Sequence, residues 1–243
     1  AKWGFKLETD FGLPQPSKPK LVAFIIDRTF PDFLQVCVDA VKMVFADYLD
    51  EQDHIIYYGL GEATPLITNT RKEGNIESIT KQIAKSNQKG GSPHVYSSIE
   101  RAIQVLHDSS SSFSKWLIFL SDTVDYSCGN EFSSVENKKG FTLDSARKEL
   151  TQLANNTKDK MAIVDGLNFV AIDASDVAKY DPNNKMWPTW KKNVSMLCDE
   201  AKKRGELSGS GMGLYLKAGS NEQIKQAFEK VASAMEDVGG VGE

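Results

Sequence analysis

One stretch of this 243-residue chain, Leu21-Val22-Ala23-Phe24-Ile25-Ile26-Asp27, carries most of the information about its architecture. Six uninterrupted apolar residues are typical of a parallel strand that helices cover on both faces. A second stretch, Trp116-Leu117-Ile118-Phe119-Leu120, has the same character and is followed by Ser121 and Asp122. We therefore predict two buried strands, each of which leads into an aspartate.

The segments around these stretches alternate between strand and helix patterns. Apolar residues at three- and four-residue spacing after Pro31 predict a helix with one buried face, and Ser97 with Glu100 predicts a capping box at the start of another. Further strands are predicted at 54–58, 65–68, 167–172 and 214–216, and further helices at 76–83, 97–106, 143–153, 194–201 and 220–235. The alternation predicts an α/β fold with one doubly wound, mostly parallel central sheet and helices on both faces.

The predicted domain spans residues 21–237. A Pro- and Lys-rich arm, 1–20, precedes it, and a frayed tail, 238–243, follows it. Two polar stretches, 125–142 and 174–190, are predicted insertions. Because the chain starts at Ala1 with no apolar signal core, we expect either a domain of a larger protein or a processed N-terminus.

Charge and composition exclude several classes of function. The net charge is −4 with both signs interspersed, so no basic stripe is available for nucleic acid. The sequence contains no run of about 18 apolar residues, so no membrane span is predicted. Cys37, Cys128 and Cys198 are isolated; the first and last fall on apolar helix faces, which predicts buried free thiols and favours a cytoplasmic protein. Two glycosylation sequons, at Asn155 and Asn193, leave a secreted or cell-surface location open.

The predicted binding site lies where the two buried strands end. In an open parallel sheet, ligands bind outside the carboxyl ends of the strands, where the strand order reverses. Asp27 and Asp122 follow the two strands, Thr29 adds a hydroxyl, and a loop, Gly90-Gly91-Ser92-Pro93, precedes a helix. Carboxylate and hydroxyl oxygens in this combination suit a hard cation such as Mg²⁺.

These motifs, taken in order, resemble the metal-ion-dependent adhesion site of von Willebrand factor A (vWA) domains. That site combines Asp-x-Ser-x-Ser, a Thr in a Gly-rich loop and a later Asp; here the first motif is Asp27-Arg28-Thr29-Phe30-Pro31, and Ser92 and Asp122 match the others. The resemblance implies a Rossmann-like fold and metal ligation by Asp27, Thr29, Ser92 and Asp122. It also implies a Mg²⁺ ion, with Mn²⁺ or Ca²⁺ as substitutes, whose shell is completed by an acidic side chain of a protein partner.

One departure from the family motif bears on metal binding. Pro31 stands where the family has its second Ser, and it supplies no side-chain oxygen. Water or Asp32 would fill that position, although Asp32 is also typical of a helix N-terminus. Two hypotheses therefore remain, a metal-dependent interaction module and a metal-free one, and the sequence sets no oligomeric state.

The enzyme classes that share this architecture are less well supported. A phosphatase of the haloacid-dehalogenase type needs a second Asp two residues after the first, and this chain has Thr29 there. Gly59-Leu60-Gly61 lacks the third glycine of a dinucleotide-binding loop. We therefore predict that the chain is not an enzyme. Trp187 and Trp190, in the second predicted insertion and at its end, either contact a partner or cover the sheet edge.

Overall fold

The computed structural model describes residues 18–26, 31–59, 67–70, 77–78, 80–81, 95–121, 142–174, 176 and 186–237. The elements, in chain order, are β1 (Lys20–Ile26), α1 (Pro31–Asp47), β2 (His54–Gly59), β3 (Ile67–Thr70), α2 (Val95–Asp108), β4 (Ser114–Ser121), α3 (Leu143–Met161), β5 (Asn168–Asp173), α4 (Trp187–Ser208), β6 (Met212–Lys217) and α5 (Asn221–Asp237). Residues 77, 78, 80 and 81 are also helical, within the helix predicted at 76–83.

The six strands that the described residues form belong to one sheet, in the order β3-β2-β1-β4-β5-β6. β1, β2, β4, β5 and β6 run parallel to their neighbours, and β3 pairs antiparallel to β2 at one edge. β2 and β3 follow one another outwards on one side of β1, and β4, β5 and β6 follow one another outwards on the other side. The doubly wound α/β fold is therefore confirmed, and its strand order reverses between β1 and β4.

Helices cover both faces of the sheet, each over its own apolar core. Successive residues of β1 point to opposite faces, so Phe24 belongs to the core under α1 and α5, whereas Ile25 belongs to the core under α2, α3 and α4. Each helix runs back along the sheet, and α5 therefore ends at the edge where β1 begins. We call the edge of the sheet at which the parallel strands begin the amino edge. The opposite edge, at which these strands end, is the carboxyl edge. None of the described helices is long and apolar enough to cross a membrane.

Asp53 ties the first two strands together at the amino edge. Its carboxylate accepts hydrogen bonds from the Lys20 backbone N–H at 2.6 Å and from the Asp50 backbone N–H at 2.8 Å. The Lys20 ammonium lies 3.4 Å from the same carboxylate. Asp53 is 1% exposed, so a buried charge is paired and hydrogen-bonded, as burial requires.

α4 packs on β6 at backbone contact distance. A Cβ added at Gly213 would lie 1.7 Å from the Cys198 carbonyl oxygen, and one added at Gly205 would lie 1.9 Å from the Gly211 carbonyl oxygen. Only glycine fits at these positions. α4 ends at Ser208 and is capped by Gly209, whose φ of 73° is the left-handed conformation that terminates helices.

Several boundaries differ from the sequence prediction. The Ser97–Glu100 capping box was wrong, because α2 begins at Val95 and both residues lie inside the helix. The Glu100 carboxylate instead accepts a hydrogen bond from the Thr157 hydroxyl at 3.1 Å and pairs with Lys160, which joins α2 to α3. The strand predicted at 65–68 is β3, two residues later.

Two predicted features of buried side chains can be compared with the structure. Cys37 and Cys198 are buried thiols that form no disulfide, as expected. Trp190 is 2% exposed and packs edge-to-face on Tyr96 at 5.1 Å, so of the two alternatives for this side chain, packing against the protein is the one observed. Cys128 and the Trp187 side chain lie outside the described parts of the structure.

Candidate functional site

The carboxyl edge between β1 and β4 is the place where the sheet changes direction. β1 ends at Ile26 and β4 ends at Ser121, and Ile26 is in register with Leu120 on the neighbouring parallel strand. The ends of these two strands therefore lie side by side at one edge. α1 begins after β1 at Pro31 and α2 begins at Val95, and both helices start at this edge because they run back along the sheet. Their N-termini carry the positive ends of two helix dipoles.

The four predicted ligands adjoin these elements in the sequence. Asp27 and Asp122 directly follow the last residues of β1 and β4, and Ser92 precedes the first residue of α2 by three positions. Asp27, Thr29, Ser92 and Asp122 themselves lie outside the described residues, and their ligand role stays a prediction. The described residues contain no group of three or more His, Cys, Asp or Glu side chains placed to hold a metal ion.

Pro31 has a structural role that accounts for its presence in the motif. It is the first residue of α1, where the missing N–H costs nothing and the fixed φ suits the helix. The set that remains, two carboxylates and two hydroxyls, is chemically suited to Mg²⁺, which keeps several waters in its shell. The residues present therefore fit a hard cation with one ligand fewer than the family motif provides.

A second polar cluster lies at the same edge, at the end of β5. Asp173 is 2% exposed and pairs in register with Ser121, the last residue of β4. Its carboxylate accepts a 2.5 Å hydrogen bond from the Tyr215 hydroxyl, and the Lys191 ammonium lies 3.9 Å from both Asp173 and Asp176. The Asp173–Tyr215–Lys191 cluster thus joins β5, β6 and α4 beside the end of β4.

This cluster was missed by the sequence analysis, although a signal for it exists. Residues 167–172, which are apolar except for Asn168, are predicted as a strand and lead into an aspartate, which resembles the pattern that singled out Asp27 and Asp122. Burial, followed by the hydrogen bond to Asp173, raises the pKa of the Tyr215 phenol above its ordinary value. Tyr215 therefore stays a hydrogen-bond donor, and the carboxylate that it contacts is held inside the protein.

The main chain of β5 also supports the end of β4. The Ala174 N–H donates to the Ser121 carbonyl oxygen at 2.8 Å, and Ser121 itself is fully buried. The residue that precedes Asp122 is consequently fixed by its pairing with β5. The geometry presents the next residue of the chain from a rigid strand end, which is a requirement for a precise binding site.

Comparison with known proteins supports the fold through solved structures. No family model and no curated protein sequence matches the chain. The pilus adhesin SpaC from Lactobacillus rhamnosus GG, in its open conformation, matches with a TM-score of 0.63 and 13% sequence identity, over 91% of this chain and 30% of that chain. A second structure of SpaC matches with a TM-score of 0.62 and 15% identity, over 91% of this chain and 31% of that one.

A solved structure of a protein from the mussel byssus also matches the chain. Proximal thread matrix protein 1 from the mussel byssus has a TM-score of 0.50 and 10% identity, over 90% of this chain and 48% of that chain. The chain spans less than a third of the length of the SpaC structures. At such identities the likeness concerns the fold alone. The chain therefore shares the doubly wound α/β fold of these structures.

Proposed function

We propose that this chain is a vWA-type protein-interaction domain, not an enzyme, which binds a partner protein at the carboxyl edge between β1 and β4. The observation that carries the proposal is the reversal of strand order at this pair, because ligands of open α/β sheets bind at such a point. The two predicted acidic ligands follow these two strands and no others. A shared architecture with a pilus adhesin over 91% of this chain is in keeping with an interaction role.

In this proposal Asp27, Thr29, Ser92 and Asp122 hold a Mg²⁺ ion. Two of these ligands are neutral hydroxyls, so the protein neutralises only part of the ion's charge. The bound ion would supply positive charge and an open coordination position for an acidic side chain of the partner. The N-termini of α1 and α2 favour the same negative group.

Metal binding is tested by isothermal titration of the full chain with Mg²⁺ and with Mn²⁺. We expect saturable heats from the wild type and none from Asp122→Ala. The matched control is Asp108→Ala, since Asp108 is an exposed aspartate at the end of α2, on the amino edge. The control should titrate like the wild type. Identical heats from wild type and Asp122→Ala would contradict the metal part of the proposal.

A metal-free version of the same interface is favoured by one observation, the Pro31 that begins α1 in place of an oxygen ligand. The two versions differ in a selection of displayed random peptides on the immobilised chain, performed with Mg²⁺ or with EDTA. Asp- or Glu-containing peptides recovered only with Mg²⁺ support the metal-dependent version. Peptides that bind equally well with Mg²⁺ and with EDTA, and that do not bind the Asp122→Ala variant, support the metal-free version.

Turnover of p-nitrophenyl phosphate with Mg²⁺ that is lost in Asp27→Ala would contradict both the metal-dependent and the metal-free version, because it would show an enzyme.

A further inference from the structure

An apolar cavity opens at the amino edge, on the side of the molecule opposite the proposed partner site. One wall is formed by the end of α3 and the turn that leads into β5, and the other by the last two turns of α4. The volume of the cavity is about 350 Å³. An apolar cavity of about 150 Å³ already binds benzene, so this one has room for a side chain of another molecule.

The two walls differ in how far their apolar side chains project. On the first wall Met161, Val164 and Leu167 are 1%, 5% and 6% exposed, so this wall is an apolar depression. On the second wall Leu207 borders the cavity and is 78% exposed. The same cavity therefore combines an apolar depression on one side with an apolar projection on the other.

The two walls also carry opposite charges. Asp165, on the first wall, is exposed, and its carboxylate forms no ion pair with any residue that the structure describes. Arg204, on the second wall, has its Nε 2.7 Å from Glu200 Oε1. Because this contact uses one edge of the guanidinium, the terminal Nη groups are left to donate to a second carboxylate.

A surface with these properties is complementary to a second copy of itself. A two-fold axis that passes through the opening of the cavity places the first wall of each copy against the second wall of the other. Leu207 of each copy then meets the depression of the other, and Arg204 of each copy meets Asp165 of the other. One symmetry operation thus matches both the shape and the charges of the two walls.

We propose that this face, defined by the cavity with Leu207, Arg204 and Asp165, is a two-fold interface between two copies of the chain. Burial of the exposed leucine supplies the apolar contact, and the two Arg204–Asp165 pairs fix the relative orientation of the copies. The carboxyl edge lies at the other end of the sheet, so each copy keeps its proposed partner site accessible. The inference is independent of metal and partner binding at that edge.

Sedimentation equilibrium of the full chain over a range of concentrations tests the proposal by measuring the dimer dissociation constant. We expect Leu207→Asp to raise this constant at least about thirtyfold, because a carboxylate would then face the apolar depression of the other copy. A wild type that stays monomeric up to its solubility limit would overturn the proposal. A dimer that Leu207→Asp leaves intact would overturn it too, since another face would then hold the copies together.

The charges allow a second test that local damage by one substitution cannot imitate. Arg204→Glu and Asp165→Arg should each raise the dissociation constant at least about tenfold, because each places two pairs of like charges across the two-fold interface. The control is Lys192→Glu, the same reversal of charge at an exposed position of α4 about 18 Å from Arg204, and it should dimerise like the wild type.

An equimolar mixture of the Arg204→Glu and Asp165→Arg proteins decides the symmetry. In a mixed dimer every charge pair across the interface is again of opposite sign, so we expect the mixture to contain more dimer than either variant alone at the same total concentration. Urea unfolding of each variant checks that it is folded. A mixture that dimerises no better than its two components would contradict the two-fold arrangement.

Discussion

Tyr215 shows at the scale of one residue how the carboxyl edge is stabilised. Burial first, and then the hydrogen bond to Asp173, raises the pKa of its phenol above the ordinary value of 10.0. Above about pH 10 the unfolded chain releases this proton and the folded protein keeps it, so the folded state binds more protons. The contribution of Tyr215 to stability is therefore fully present below pH 10 and is lost as the pH rises further.

We expect the free energy of unfolding to fall above about pH 10 by up to about 1.4 kcal/mol per pH unit from this group. Tyr215→Phe should show a shallower fall. Urea unfolding between pH 8 and 11 measures both slopes. Cys198, whose pKa is raised to about 12 mainly by burial, has an effect of the same sign, but it acts equally in both proteins and cancels. Parallel curves for the two proteins would contradict the assignment.

Single residues were the least predictable part of this sequence. Trp190 follows a Pro- and Asn-rich stretch, yet it is buried against Tyr96, because its helix begins earlier than the apolar period indicates. Asp173 has the same sequence context as Asp27 and Asp122, but its carboxylate is held by Tyr215 within the protein. Whether a strand-terminal aspartate faces a ligand or a neighbouring side chain depends on tertiary contacts that its own sequence context does not contain.

At the scale of elements, the contact between α4 and β6 depends on Gly213, because glycine has no side chain to separate the two backbones. A Cβ at Gly213 would meet two backbone atoms of α4, the Cys198 carbonyl oxygen and the Lys202 nitrogen at 2.6 Å, and neither can rotate away. Gly213→Ala should therefore displace the helix and lower the free energy of unfolding by about 3 kcal/mol. Urea denaturation measures the loss.

Gly209→Asn provides the matched control for this prediction. Nothing lies within 4 Å of a Cβ at Gly209, and asparagine tolerates the left-handed conformation found there. We expect it to cost about 1 kcal/mol or less. A Gly213→Ala protein as stable as Gly209→Asn would show that α4 and β6 are not in close contact in solution.

The start of α3 gives a second prediction for an element. Thr142 is its N-cap: the Thr142 hydroxyl oxygen accepts the Ser145 N–H at 3.2 Å, and the Ser145 hydroxyl oxygen accepts the Thr142 N–H at 2.9 Å. Thr142→Ala should reduce stability by about 1 kcal/mol. Thr151→Ala, in the middle of the same helix, should change stability by no more than about 0.5 kcal/mol. Thermal unfolding of both variants distinguishes a cap from a general effect of threonine, and equal losses would contradict the cap.

The sequence predicted that these helices and strands exist, but it did not predict the residues at which several of them begin or end. α3 extends eight residues beyond Leu153 to Met161. In that part the buried positions are Ala154, Thr157 and Met161. Because Ala154 is small and Thr157 is polar, the sequence there lacks the regular spacing of large apolar residues that predicts a helix. The buried strands were predictable because parallel strands covered on both faces leave continuous apolar runs.

At the scale of the whole molecule, the two cores share one sheet. Phe228 of α5 packs on Phe24 of β1, and Phe169 lies in the opposite core. Phe228→Ala and Phe169→Ala should each cost about 3–5 kcal/mol. Both variants should still unfold in one transition, because neither core persists without the strands that it shares with the other. Near- and far-UV circular dichroism during urea unfolding should therefore coincide, and separated midpoints would contradict a single cooperative unit. Phe228→Leu serves as a milder substitution if Phe228→Ala does not fold.

The adjacency of the two strands that border the candidate site was also predictable at this scale. Two apolar runs that each lead into an aspartate, separated by nearly a hundred residues, indicated adjacent strand ends, and β1 and β4 are indeed neighbours. The side chains that complete the site come from connecting segments, whose conformation depends on turn chemistry and bound ligands more than on apolar pattern.

α5 ends at Asp237 on the amino edge, pointing away from the junction of β1 and β4. A biotin acceptor tag fused after this helix would therefore orient every molecule on a streptavidin sensor in the same way, with the carboxyl edge towards the flowing solution. Random coupling through lysines would scatter these orientations. The capacity of the sensor for an analyte that binds the carboxyl edge should consequently be higher after site-directed capture.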